Sequence, residues 1–107
     1  MEILDLYHKH HNQHMVKEVT AAHILVKGQG KATELLERIK KGESFEQLAK
    51  DCSECPSRKR GGNLGWFGRG RMVREFEKAA FEGEKGSVVG PVKTDFGWHL
   101  IKIIDKR

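Results

Sequence analysis

Between Ser53 and Gly70 the chain carries Pro56 and five glycines, Gly61, Gly62, Gly65, Gly68 and Gly70, a density that interrupts any long helix or strand. An uninterrupted helical bundle is therefore excluded, and the patterned segments must lie on either side of a turning stretch. Before it, Val19 to Val26 reads VTAAHILV. This run is rich in β-branched residues and predicts a strand with His23 and Leu25 on one face and Ile24 and Val26 on the other. Ala32, Leu35, Leu36 and Ile39 follow at i, i+3, i+4 and i+7, which predicts an amphipathic helix ending at Gly42. Phe45, Leu48, Ala49 and Cys52 repeat the spacing, with Ser44 in the N-cap position. Inside the glycine-rich stretch only Asn63 to Phe67 suits a short strand. Met72, Phe76, Ala79 and Ala80 then restore helical spacing up to the stop at Gly83 to Gly86. Val88 to Thr94 and Trp98 to Ile104 predict two strands joined by a hairpin turn at Asp95, Phe96 and Gly97. In the last strand His99, Ile101 and Ile103 share one face, and Trp98, Leu100 and Ile104 the other. The order β, α, α, loop, β, α, β, β predicts an α+β domain with a small, largely antiparallel sheet.

A length of 107 residues leaves room for one core. No stretch approaches the roughly 18 to 20 apolar residues that cross a bilayer, so no membrane span is expected. Two cysteines do not make the disulfide framework of a small secreted module, which points to a reducing, cytoplasmic setting. Cys52 and Cys55 have C-x-x-C spacing, but zinc would need a second pair of ligands and a thioredoxin-like site a βαβ context. No metal and no cofactor are expected, and Cys52 completes an apolar helix face. The net charge of +5 is concentrated in Arg58, Lys59, Arg60, Arg69, Arg71 and Arg74, with no acidic residue between the first and the last. Such a cluster attracts nucleic acid or acidic peptide, or forms a solvated rim; both alternatives stand.

Residues 1–14, MEILDLYHKHHNQH, hold four of the six histidines and lack the basic start and apolar run of a signal peptide. His14-Met15 is what a common cloning site leaves before a native start, so residues 1–14 are expected to be a tag and residues 15–107 the domain. The rival is a metal-binding histidine arm. Either way, His23 and His99 are the only histidines of the body.

Several blocks, in order, resemble one family. His23-Ile24-Leu25-Val26, Cys55-Pro56-Ser57, Arg60-Gly61-Gly62-Asn63-Leu64-Gly65-Trp66-Phe67, Met72 with Phe76, and Gly90-Pro91-Val92 with Thr94, Phe96-Gly97 and His99 are similar to the parvulin family of peptidyl-prolyl cis-trans isomerases. The similarity runs from about Thr20 to Lys106. It implies a four-stranded antiparallel sheet surrounded by about four helices, an FKBP-like superfold, with substrate lying across one face. It further implies that His23 and His99 are the paired central histidines and that Cys55 stands where members carry Cys or Asp. By the same resemblance Thr94 bonds one imidazole, and Leu64, Met72 and Phe76 form the pocket for the proline ring, widened by Phe96 and Trp66. Asn63 departs from the expected aspartate, and Trp98 from a smaller aromatic. The loop Lys27-Gly28-Gln29-Gly30-Lys31 is short and holds two lysines, so the phosphate selectivity of some members does not carry over.

An X-Pro bond turns over a barrier of roughly 18 to 20 kcal/mol because twisting costs the amide its resonance. Millisecond turnover needs about 7 kcal/mol of differential stabilisation of the twisted amide. No bond is made or broken, so the expected roles are apolar burial by Leu64, Met72 and Phe76 and orientation by a hydrogen-bond network of His23, His99, Thr94 and Cys55. Without the resemblance, Met72 and Phe76 read as ordinary core, and the buried histidines as satisfied structural groups. The expected partners are proline-containing polypeptides met by a monomer, either free in the cytoplasm or as a domain of a longer exported protein. The competing functions are a proline-segment binding or chaperone module with little turnover, and a nucleic-acid-binding domain.

Overall fold

The computed structural model describes residues 16–107, so the tag expectation for residues 1–14 lies outside the described residues. Strand β1 (Glu18–Val26) is followed by helices α1 (Gln29–Lys40) and α2 (Phe45–Cys52). Next come a 3-10 turn (Pro56–Arg60), β2 (Asn63–Gly68), α3 (Arg74–Glu82), β3 (Val88–Thr94) and β4 (Gly97–Lys106). The four strands form one antiparallel sheet in the order β2-β1-β4-β3, which places the longest and most apolar strands, β1 and β4, in the middle. The expected α+β fold is what the chain adopts. Among the described residues no helix is long and apolar enough to cross a membrane.

Period-two alternation divides β1 and β4 between two cores. Ala22, Ile24, Val26 and Leu100 face α1 and α2, meeting Ala32, Leu35, Phe45 and Leu48. Val19, Ala21, Ile101 and Ile103 face the opposite way, against Phe67 of β2 and Phe76, Ala80 and Phe81 of α3. Cys52 packs against the first core, as its place on the apolar face of α2 predicts. The Ser44 hydroxyl accepts the Gln47 N–H at 3.1 Å and so caps α2. The Ser53 hydroxyl accepts from the N–H groups of Leu25 at 3.1 Å and Cys55 at 3.3 Å, fastening the exit of α2 to the site end of β1.

Three local features depart from the sequence reading. The glycine-rich break contains a helical turn, Pro56–Arg60, which starts with a proline at its first position and stops at Gly61 in the left-handed region. Helix α3 starts at Arg74 rather than at Met72, because Val73 is an extended N-cap and the Glu77 carboxylate is engaged by the Gly70 N–H. Met72 is therefore a loop residue preceding the helix. Third, β2 is bulged. The register with β1 jumps between Ala21, opposite Gly65, and Ala22, opposite Asn63, leaving Leu64 as the extra residue. Gly65 takes φ +74°, which permits this kink. As a result Leu64 and Phe67 both join the second core, while Trp66 turns away.

The two ends of the described chain are fastened to each other. The Arg107 carbonyl accepts from the Lys17 and Glu18 N–H groups, and the Arg107 N–H donates to the Glu18 carbonyl. The guanidinium of Arg107 reaches Glu18 Oε1 at 2.8 Å and lies 4.0 Å over the Trp66 ring.

Candidate functional site

His23 on β1 and His99 on β4 lie on the α3 face of adjacent strands, diagonal to each other because His99 pairs with Leu25 and His23 with Ile101. Both rings are buried. Their Nδ1 atoms are 3.0 Å apart, so one imidazole donates N–H to the lone pair of the other. His99 Nε2 lies 2.7 Å from the Thr94 hydroxyl, which also accepts the Phe96 N–H at 3.2 Å. The ring of Phe76 presents its edge geometry to both imidazoles, with centroids 5.5 Å from His23 and 5.2 Å from His99 at interplanar angles of 82° and 80°. Burial, then the neighbouring His99, pushes the His23 pKa down to about 4, and burial lowers that of His99. Both rings are neutral at neutral pH.

The loop behind His23 is fixed by its backbone. The Gly62 N–H donates to the Ser57 carbonyl and the Gly62 carbonyl accepts from the His23 N–H. With φ +87° at Gly62, any Cβ there would run into the His23 carbonyl oxygen, so only glycine lets the loop lie this close.

In front of the imidazoles opens a cavity of about 510 Å³. Its floor is His23, Leu25 and His99, and one wall is Leu64, Met72, Val73 and Phe76. Cys55, Pro56 and Phe96 also contribute, Phe96 from the exposed tip of the β3–β4 turn. The structure thus gathers His23, Cys55, Leu64, Met72, Phe76, Phe96 and His99 around one space, with Thr94 behind His99. Trp66 is not among its walls: the bulge at Leu64 and Gly65 sends the indole to the other side, under Arg107. The Cys55 thiol lines the cavity but makes no hydrogen bond to either imidazole, so it does not join the expected network. Cys55 sits on a loop anchored through its own N–H to Ser53, away from the strand floor that carries the rings. Cys52 packs in the opposite core, and both cysteines are free.

Sequence reasoning missed Leu25, Glu54, Pro56 and Val73 as lining residues. Alternation had already put Leu25 on the face of His23, a signal that was there to use. The six basic residues of the glycine-rich stretch are all exposed and have different local surroundings. Arg69 lies 4.2 Å over the Phe81 ring, Arg71 lines the cavity, Arg74 opens α3, and Arg58, Lys59 and Arg60 are exposed on the 3-10 turn.

The described geometry has counterparts in known proteins. The family model for the PPIC-type PPIase domain matches residues 4–107. The foldase protein PrsA of Geobacillus kaustophilus (strain HTA426) is 50% identical over 91 residues, covering 84% of this chain and 32% of its own length. A crystal structure of PrsA from Bacillus anthracis superposes with a TM-score of 0.85 at 39% identity, covering 90% of this chain and 45% of that one. The solution structure of NmPin, the parvulin of Nitrosopumilus maritimus, gives 0.76 at 43% identity and covers 83% of this chain and 97% of that one. The chain thus spans about a third of the length of the curated relatives it matches. With a family match over nearly its whole length and parvulin neighbours that share its sheet and helices, the chain belongs to the PpiC-type peptidyl-prolyl cis-trans isomerases.

Proposed function

We propose that this isomerase turns X-Pro bonds of unfolded or partly folded polypeptides by burying the proline ring against Leu64, Met72 and Phe76 while a neutral imidazole pair holds the amide. The observation that carries this reading is one apolar cavity built directly on the His23–His99 pair. A twisted amide has lost part of its charge separation and needs less hydration than a planar one, so an apolar wall favours it differentially. The polar groups act by orientation. Thr94 Oγ1 accepts the Phe96 N–H and, in the arrangement we propose, gives its own proton to His99 Nε2. His99 then donates from Nδ1 to His23 Nδ1, and His23 carries its proton on Nε2, a buried atom with no side-chain or backbone partner. This chain of hydrogen bonds fixes both rings at the cavity floor and moves no proton during the reaction.

Exchange NMR on a small panel of X-Pro peptides tests the reading, with Cys55→Asp as the informative variant. Since the thiol is outside the imidazole hydrogen bonds, Cys55→Asp is expected to retain substantial acceleration. A folded variant as slow as the uncatalysed peptide would instead make a covalent thiolate the better account. Binding without acceleration by the native chain would favour the chaperone-module alternative. Nucleic acid is not supported as a partner, since the family match is to an isomerase domain and the curated relatives are foldases.

Relatives about three times its length favour a domain within a longer exported foldase over a free cytoplasmic enzyme, whereas the near-complete coverage of NmPin supports the free-standing form. The family match from residue 4 gives most of the segment expected to be a tag a counterpart in the family. Deleting residues 1–14 separates the two origins: an unchanged melting temperature is expected of a tag, and a fall of several degrees means that the segment belongs to the domain.

A further inference from the structure

Of the twelve residues that line the cavity, two carry a formal charge, Glu54 and Arg71. Both are exposed, and among the described residues neither is in an ion pair. The segments that carry them are anchored toward opposite ends of the cavity along β1. Glu54 is tied to one end, where its N–H donates to the Leu25 carbonyl at 2.8 Å. Arg71 directly precedes Met72, which shares a wall of the cavity with Leu64, and the β2 neighbours of Leu64 pair with Ala21 and Ala22 toward the other end. Ala21 and Leu25 are four residues apart, about 13 Å of extended strand, with His23 between them. The neighbouring charges, Arg58, Lys59, Arg60 and Arg74 against Glu75 and Asp95, make the surroundings basic. None of these lines the cavity, whereas Glu54 and Arg71 do.

We propose that Glu54 and Arg71 read the charge polarity of the substrate, favouring segments with a basic side chain before the proline and an acidic one after it. This rests on the proposed seat of the proline ring against Leu64, Met72 and Phe76. That seat puts the ring at the Arg71 end, so the residue after proline leaves past Arg71. The residue before it lies over the imidazoles toward Leu25 and Glu54. Reversing the substrate's polarity turns two attractions between exposed charges into two repulsions. That difference is worth about fivefold in kcat/KM at low ionic strength, and it shrinks as salt screens over distances of about 10 Å.

Two peptides of identical composition, Ala-Lys-Pro-Glu-Phe and Ala-Glu-Pro-Lys-Phe, test this by exchange NMR, because the general basic field acts equally on both. The Lys-Pro-Glu peptide is expected to be the faster, and the double variant E54R/R71E is expected to reverse the order. Equal rates, a faster Glu-Pro-Lys peptide, or a folded double variant that keeps the original order would overturn the proposal. If the double variant does not fold, the native chain decides alone: a ratio that collapses in high salt supports the charge reading, and one that persists refutes it. Failure to accelerate the uncharged Ala-Ala-Pro-Ala-Phe as well as both charged peptides would instead sink the isomerase mechanism on which the proposal rests.

Discussion

Phe76→Ala should lower kcat/KM for an uncharged X-Pro peptide by two orders of magnitude or so, a loss of about 2.7 kcal/mol of transition-state stabilisation. It should also remove about 3 to 5 kcal/mol of folding stability. Two effects combine at this residue. Its ring is one wall of the proline pocket, and it is also the apolar edge contact of both imidazoles and of Phe67. Truncation both opens the pocket and lets the imidazole pair reorient. Met72→Ala separates the two effects, because Met72 is a half-buried loop residue outside α3 whereas Phe76 is buried in the core. Its expected cost is about tenfold in kcat/KM, the worth of one partly lost apolar contact, with a smaller change in melting temperature. Urea titration beside the kinetics tells the two apart. If Phe76→Ala were destabilised but catalysed at the native rate, the proline ring does not sit against α3.

Acidification should destabilise the fold before the carboxylates begin to titrate. The folded pKa of His23 is depressed to about 4, whereas an unfolded histidine titrates near its ordinary value of 6.5. Over the interval between them the unfolded chain binds a proton that the folded chain refuses, so stability falls as pH falls and is level above the unfolded value. Going from about pH 7 to about pH 5, His23 alone contributes a loss of about 2 kcal/mol. His99, lowered by burial, acts in the same direction. The carboxyls of Glu34, Glu43, Glu46 and Asp105 are held below their usual values by lysine, arginine or backbone partners, so they weaken the fold only at lower pH still. Denaturant melts at the two pH values check this, with His23→Gln expected to flatten the slope. A native chain equally stable at both would mean that the imidazoles are more hydrated than their burial indicates.

The residues that were legible in the sequence are those whose direction follows from a regular pleat. Alternation alone put His23 beside Leu25 and His99 beside Ile101 on one face, and the structure keeps all four on the same side of the sheet. The N-cap at Ser44 and the helix faces of α1 and α2 were equally plain, because each rests on a local hydrogen bond or a 3.6-residue period. Trp66 was placed at the pocket by resemblance alone, and the bulge in β2 turns it away. A bulge adds one residue and reverses the alternation beyond it, and whether Gly65 marks a bulge or a simple turn depends on the partner strand. Met72 fits the helical spacing of Phe76 but sits outside α3, since the helix begins where Gly70 and Glu77 close a loop, a contact seven residues apart. Cys55 could be assigned to the site only by likeness to other chains. Nothing in its neighbours states that its thiol stays clear of the imidazoles.

The hydrogen bonds that join Lys17 and Glu18 to Arg107 give the fold a mechanical character. Because β1 begins where β4 ends, a load applied to the two ends pulls across the strands rather than along them. An antiparallel ladder loaded this way yields one rung at a time, like a zip, instead of resisting with all rungs together. The rungs run from Val19 opposite Lys106 to Val26 opposite Trp98, and the fifth of them is His23 opposite Ile101. Tension between the ends would therefore reach the imidazole pair while the helices α1 and α2 were still packed on their own face of the sheet.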